Sequence, residues 1–266
     1  MMLQNGERSA VLDAETLDRE IGRARSVQAR LFPQERPRLR TLRYAGDSES
    51  AGQLGGDYYD FLRFDRNRLG IALGDVSGKG VPAALLTANL HALVRARARA
   101  NPGGLEAMTV EINRQLCRST DDATFVSLFF GAYDDRSRSF RYVNAGHNPP
   151  ILVRTAGSRL RVKRFASEGM VLGIFPDRVY REREVHLDEG DLLVVFSDGV
   201  TETENGTGEQ FGDTRLVELV VRNRAASPEA LVRRISGSLS RFRGGSPRKD
   251  DTTLIVARVL GRGGRV

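Results

Sequence analysis

The sequence predicts an α+β domain built in layers and preceded by a helix. Three observations lead to this class. Short runs rich in aromatic and β-branched residues alternate, in blocks, with longer stretches of helical periodicity. The order is strands, a helix pair, strands and a second helix pair. Two sheets with helix pairs on the outside satisfy that order, although periodicity alone does not separate this from other layered folds. The 266 residues, 40% hydrophobic and 28% charged, are enough for one sizeable packed core.

The elements follow in chain order. Leu17, Ile21, Ala24, Gln28 and Leu31 recur at alternating spacings of four and three and form one helical stripe. Asp13 or Thr16 is the expected cap, and Pro33 the expected end. Pro33 to Pro37 reads as a short linker. Asp57–Phe64 and Arg68–Leu73 read as strands joined by Asp-Arg-Asn, a turn composition. Val81 to about Ala100 is helical, broken by Asn101-Pro102-Gly103-Gly104, and a second helix covers Leu105–Cys117. Strands are expected at Phe125–Tyr133, Phe140–Asn144, Ile151–Arg154, Leu160–Phe165 and Asp191–Phe196. Helices are expected at Asp213–Arg224 and Pro228–Arg241, the latter with Ser227 before it and Pro228 in its first turn. Thr252–Val259 reads as the last strand, and Gly261–Val266 as a frayed tail.

Composition excludes several chemistries. Cys117 is the only cysteine, so neither an intrachain disulfide nor a cysteine-type zinc site is possible. His91, His147 and His186 lack metal-ligand spacing. No apolar run approaches the ~20 residues of a membrane span, and Met1–Ala10 has no signal-peptide character, so a cytoplasmic protein without membrane contact is expected. The net charge is +7. The arginines are spread along the chain without an aromatic-interleaved stripe, so no nucleic-acid partner is expected.

Four aspartates or aspartate pairs stand at expected strand ends beside glycines or turns. Asp57 follows Gly55-Gly56 and opens a strand, Asp75 closes one before Val76-Ser77-Gly78-Lys79-Gly80, Asp198 closes another in Phe196-Ser197-Asp198-Gly199, and Asp250-Asp251 opens the last. An Asp-Gly alone is usually a turn; the repetition is what points to a shared cleft. Carboxylates converging in one cleft repel each other unless a divalent cation neutralises them. An oxygen-only ligand set selects Mg²⁺ or Mn²⁺, and a pair of such ions suits hydrolysis of a phosphate ester. The Gly74–Gly80 loop is not a nucleotide P-loop: Gly74 and Gly78 enclose three residues instead of four, and Gly80 stands where Ser or Thr is needed.

Seven motifs, in order over roughly residues 40 to 260, resemble the PPM-type metal-dependent serine/threonine phosphatases, in the bacterial branch typified by RsbU and SpoIIE. They are Gly55–Asp60, GDVSGKGVPAALL (Gly74–Leu86), TFVSLFFGAYD (Thr124–Asp134), YVNAGHNPP (Tyr142–Pro150), GDLLVVFSDGVTET (Gly190–Thr203), FGDTRL (Phe211–Leu216) and DDTTLIV (Asp250–Val256). The resemblance implies a four-layer αββα sandwich of two antiparallel sheets flanked by helix pairs, with a metal cluster at one edge. It implies two Mn²⁺ or Mg²⁺ ions and hydrolysis of phosphoserine or phosphothreonine by metal-activated water. Asp57 would be a ligand of one metal, Asp75 the ligand shared by both with the Val76 carbonyl beside it, and Asp198 and Asp250 ligands of the second, with Asp251 adjacent. Asp57, Asp75 and Asp198 would thus be catalytic through metal-bound water. The substrate implied is a phosphorylated regulatory protein, of the anti-sigma-factor antagonist kind.

His147, between two strands, reads as loop-shaping, and Lys79 as part of its loop. No residue matches the phosphate-binding arginine of the eukaryotic relatives, and Ala45–Leu54 departs from the usual proline-containing form. Residues 1–36 would form a regulatory or dimerising helix with its linker, 37–260 the phosphatase domain and 261–266 a flexible tail. The rival functions are a partner-binding module with little catalysis and, from the basic charge, a two-metal nuclease.

Overall fold

In a computed structural model, residues 2–100, 104–121, 123–156, 159–166 and 169–261 are described. The elements are α1 (Met2–Ala29), β1 (Leu42–Glu49), β2 (Asp57–Arg63), β3 (Arg68–Val76), α2 (Gly80–Ala100), α3 (Leu105–Cys117), β4 (Val126–Asp134), β5 (Ser139–Ala145), β6 (Ile151–Ala156), β7 (Arg159–Arg164), β8 (Arg183–His186), β9 (Leu192–Phe196), α4 (Asp198–Glu202), α5 (Gly212–Arg222), α6 (Pro228–Arg243) and β10 (Thr252–Val259). The strands form two antiparallel five-stranded sheets, ordered β1-β10-β9-β6-β7 and β2-β3-β4-β5-β8.

Side-chain alternation explains the layering. In β2, Tyr58 and Leu62 face α2 and α3, joining Leu86, Leu90, Val94, Met108 and Ile112 in one core. Tyr59 and Phe61 point the other way, into a core between the sheets shared with Leu73, Phe129, Val195 and Ile255. In β9, Leu193 and Val195 enter that middle core, while Leu192, Val194 and Phe196 turn outward to Leu216, Val220, Leu231 and Ile235 of α5 and α6. A strand covered on both faces has no polar face, so its sequence reads as an unbroken apolar run. The result is a four-layer αββα sandwich with three cores.

Local chemistry sets several boundaries. Asp65 Oδ1 accepts from the backbone N–H of Asn67 (2.8 Å) and Arg68 (3.0 Å), closing the turn between β2 and β3. Ser227 Oγ accepts from the Ala230 N–H at 3.2 Å and caps α6, with Pro228 in its first turn.

Some expectations are corrected. Asp13 and Thr16 lie inside α1, which begins at Met2, and α1 ends at Ala29, before Pro33. Asp198 does not close a strand: β9 ends at Phe196, and Asp198 opens the short helix α4. Three elements were not expected: β1 and β8, which are edge strands, and α4. Residues 101–103 of the expected helix break and 262–266 of the expected tail lie outside the described residues. Among the described residues, no helix is long and apolar enough to cross a membrane.

Candidate active site

Antiparallel pairing brings the aspartates together. Asp57, the first residue of β2, lies opposite Asp75 near the end of β3. On the other sheet Phe196, the end of β9, lies opposite Leu254 near the start of β10, so Asp198 and the Asp250-Asp251 pair emerge side by side. Hydrogen bonds then join the two sheets at this end. Ser197 Oγ donates to Asp57 Oδ2 at 2.8 Å and accepts from the Thr253 N–H at 3.0 Å.

Asp75, Asp198 and Asp250 line one cavity of about 330 Å³, together with Lys79, Phe125, Ser127 and His147. Burial, and then the neighbouring carboxylates Asp198, Asp250 and Asp251, push the Asp75 pKa up to about 7. Asp57 is buried and is raised well above the usual carboxylate range, first by desolvation and then by Asp75. Burial and then Asp250 raise Asp198. Glu202, one turn along α4, is raised by burial and then by Asp198 and Asp250.

Asp251 is arranged differently. Its Oδ1 accepts from the Ala51 N–H at 2.6 Å, and its Oδ2 from the N–H of Gly56 (2.6 Å) and of Asp57 (3.3 Å). Both carboxylate oxygens are thus occupied by the backbone of the loop that leads into β2. Asp250 holds the Asp251 N–H through Oδ1 at 2.9 Å and the Lys79 ammonium through Oδ2 at 3.0 Å. Lys79 also donates to the Lys249 carbonyl. Val76, the last residue of β3, donates its N–H to the Gly56 carbonyl at 3.3 Å.

Among the described residues, no three His, Cys, Asp or Glu side chains are gathered closely enough to enclose an ion as they stand. The donor set nonetheless fits a hard divalent cation. It is all oxygen, neighbouring carboxylates raise the proton affinity of Asp75 and Asp198, and a cation, the Lys79 ammonium, already sits against Asp250. His147 cannot supply positive charge near neutral pH: it is buried, and desolvation lowers its pKa to about 4. Its Nδ1 meets Ser127 Oγ at 2.8 Å, and its backbone N–H donates to Asn144 Oδ1 at 2.9 Å, which holds the loop after β5.

The profile of the Stage II sporulation protein E (SpoIIE) family matches residues 65–260, about three quarters of the chain, including Asp75, Asp198, Asp250 and Asp251. The chain belongs to the SpoIIE family. Like the phosphatases of that family, it is a protein serine/threonine phosphatase. It is 32% identical to phosphoserine phosphatase RsbU of Bacillus subtilis over 241 residues, covering 90% of this chain and 70% of RsbU. It is 29% identical to protein IcfG of Synechocystis over 89% of this chain but only 41% of IcfG. Among solved structures, the SiaA PP2C domain of Pseudomonas aeruginosa superposes with a TM-score of 0.79 at 21% identity, covering 92% of this chain and 98% of that one. The RsbU and RsbW domains of a Mycobacterium tuberculosis protein superpose with a TM-score of 0.70 at 24% identity, covering 84% and 61%. These two share the fold of this chain.

Residue-level reasoning missed Ser197, Gln28 and the reason for Gly199. Ser197 and Gly199 flank Asp198 in Ser-Asp-Gly, a signal present in the sequence but readable there only as a turn. A Cβ at Gly199 would lie 2.0 Å from the Asp251 carbonyl oxygen, which is backbone and cannot swing away. Gly199→Ala is therefore expected to displace the segment carrying Asp250 and Asp251. The expected cost is roughly 2–3 kcal/mol of stability, with loss of most phosphatase activity. Denaturant titration and a phosphatase assay check this; wild-type values in both would remove the proposed tight fit.

Proposed function

We propose that this phosphatase acts on phosphoserine or phosphothreonine of a folded regulatory protein, with Asp57, Asp75, the Val76 carbonyl, Asp198 and Asp250 holding two Mn²⁺ or Mg²⁺ ions. The observation that carries this reading is the meeting of Asp75, Asp198 and Asp250, from three distant parts of the chain, in one cavity, where burial and the neighbouring carboxylates raise the proton affinity of Asp75 and Asp198. Bound there, the cations supply a Lewis acid for the phosphoryl oxygens and a nucleophile drawn from water. The chain's own part is to orient the carboxylates. Ser197 fixes Asp57, and Asp251 pins the loop before β2 and acts as a positioning residue. Lys79 balances charge at Asp250 and stands beside the entering phosphate.

The likeness to RsbU, a phosphoserine phosphatase, supports the choice of residue, and an anti-sigma-factor antagonist is the kind of partner proposed. The exposed Phe125 on the cavity wall offers apolar contact to a protein substrate. A short serine or threonine arm brings phosphate down to the carboxylates, whereas a tyrosine ring holds it farther out. Hydrolysis is expected to stop in excess chelator. Phosphotyrosine is expected to be roughly a hundredfold poorer than phosphoserine in the same peptide, the usual scale for a misplaced reacting group. Undiminished hydrolysis in chelator, or equal kcat/KM on the two peptides, would overturn the proposal.

Residues 1–36 are proposed as the regulatory input. The Gln28 side chain, buried near the end of α1, donates to the Gly55 carbonyl at 2.7 Å and accepts the Gly55 N–H at 3.1 Å. That bracket sits two residues before Asp57. Meanwhile Leu17 and Val27 of α1 remain exposed, apolar and able to meet a second helix in a homodimer or a sensor partner. Gln28→Leu is expected to lower kcat about tenfold or more while the protein stays folded, because two buried backbone groups of the loop lose their partner. An unchanged rate would remove α1 from control of the site.

A further inference from the structure

A second cavity, of about 370 Å³, lies where the chain leaving α1 passes the ends of β2 and α2. Its wall includes Arg30, Glu35, Arg63, Arg95 and Arg99. It is remote from the catalytic cavity: α2 runs from Gly80 beside Lys79 to Ala100, so Arg99 lies about 28 Å along the helix from that end.

The arginines are not equivalent. Arg95 is committed, its Nε and Nη2 meeting the fully buried Asp60 carboxylate at 2.7 and 3.0 Å. Arg30, Arg63 and Arg99 have no carboxylate within ion-pair distance among the described residues. Arg99 alone could be explained by the favourable field at a helix C-terminus. That does not explain Arg30, which follows α1, or Arg63, which ends β2. Arg30, Arg63 and Arg99, from three separate parts of the chain, line one concavity, and Glu35 is the single carboxylate residue on its wall among the described residues. Like charges so placed repel, and an anion seated among them removes the repulsion.

We infer that this cavity is a binding site for a small free polyanion carrying two or three linked phosphate groups. Each guanidinium presents a planar fork of donors that matches phosphate oxygens in pairs, which suits arginine better than lysine. The volume falls within the range of small-molecule sites and exceeds what a single phosphate fills. The site joins the exit of α1 to β2 and α2, so occupancy would fasten α1, and with it Gln28, to the domain. The inference does not depend on the identity of the phosphatase substrate.

The test is calorimetric titration of the 266-residue, metal-free protein with inorganic tripolyphosphate at low salt. One equivalent is expected to bind to the wild type. Arg63→Gln and Arg99→Gln are each expected to weaken binding roughly tenfold, and the double variant more. Both residues are exposed, and an unchanged melting temperature without anion shows that the variants fold. Lys79→Gln, in the catalytic cavity, is expected to bind as the wild type does. Vesicles bearing phosphorylated inositol lipid, titrated in parallel, separate a free anion from a membrane headgroup. No binding of tripolyphosphate, binding that survives the double arginine variant, loss of binding in Lys79→Gln, or binding of the vesicles alone would overturn the inference.

Discussion

Asp75→Asn is expected to lower phosphatase turnover by roughly a thousandfold or more, without lowering the melting temperature of the metal-free protein. The two effects have one cause. Asp75 lies opposite Asp57 in the β2–β3 register and lines the cavity with Asp198 and Asp250. In the metal-free protein its charge is unfavourable, which is why its pKa rises to about 7 from an ordinary value of 3.8. Between those two values the folded state binds the proton more tightly than the unfolded chain does. The associated stability is therefore complete below about pH 4 and is lost as pH rises through about 7. Asn carries no charge, so the metal-free variant should lose this part of the pH dependence and be at least as stable as the wild type at pH 8. Melting temperatures from pH 4 to 8 and steady-state rates with Mn²⁺ check both halves. Near-wild-type kcat would remove Asp75 from the proposed ligand set, and a clear fall in metal-free stability at pH 8 would contradict the repulsion.

Asp251→Asn is expected to do the opposite to stability. Asp251 accepts three backbone N–H groups from residues 51–57. An amide in its place presents an NH₂ group where a carboxylate oxygen accepted. Hydrogen bonds to a charged acceptor contribute about 1.5–3 kcal/mol each. A loss of about 3 kcal/mol is expected, or roughly 5–10 °C in melting temperature for a chain of this size. Activity should fall as well, because Gly56 and Asp57 lose their anchor. The family resemblance placed Asp251 next to the metal ligands, after Asp250 as a candidate. If Asp251 acts as a ligand rather than an anchor, its substitution should leave metal-free stability intact, as for Asp75. Melting both variants without metal distinguishes the roles.

The strong elements were readable because each carries its own signal. Leu105–Cys117 and Thr252–Val259 have the limits expected for them, the first from helical periodicity, the second from a β-branched run. β1 was not readable: Arg43, Gly46, Asp47 and Glu49 interrupt its apolar residues, and its partner β10 lies some two hundred residues away. β8 has four residues, Arg-Glu-Val-His, and is a strand because β5 offers it an edge. Neither segment has enough local preference to define itself; both are strands by pairing.

The same division runs through the site. The resemblance of seven ordered motifs to a known family pointed to the phosphatase class and to Asp57, Asp75, Asp198 and Asp250 as candidate ligands, because motif order and spacing are kept in the linear chain. The division of labour between neighbours was decided only by tertiary structure. Asp250 and Asp251 are identical residues side by side, yet one lines the cavity and meets Lys79, while the other turns its oxygens to the Ala51, Gly56 and Asp57 amides. Gln28 likewise looked like one more member of a helical stripe until the fold set it against Gly55. A residue's type sets which bonds it can make; which of them it makes depends on what the rest of the chain brings within about 3 Å of it.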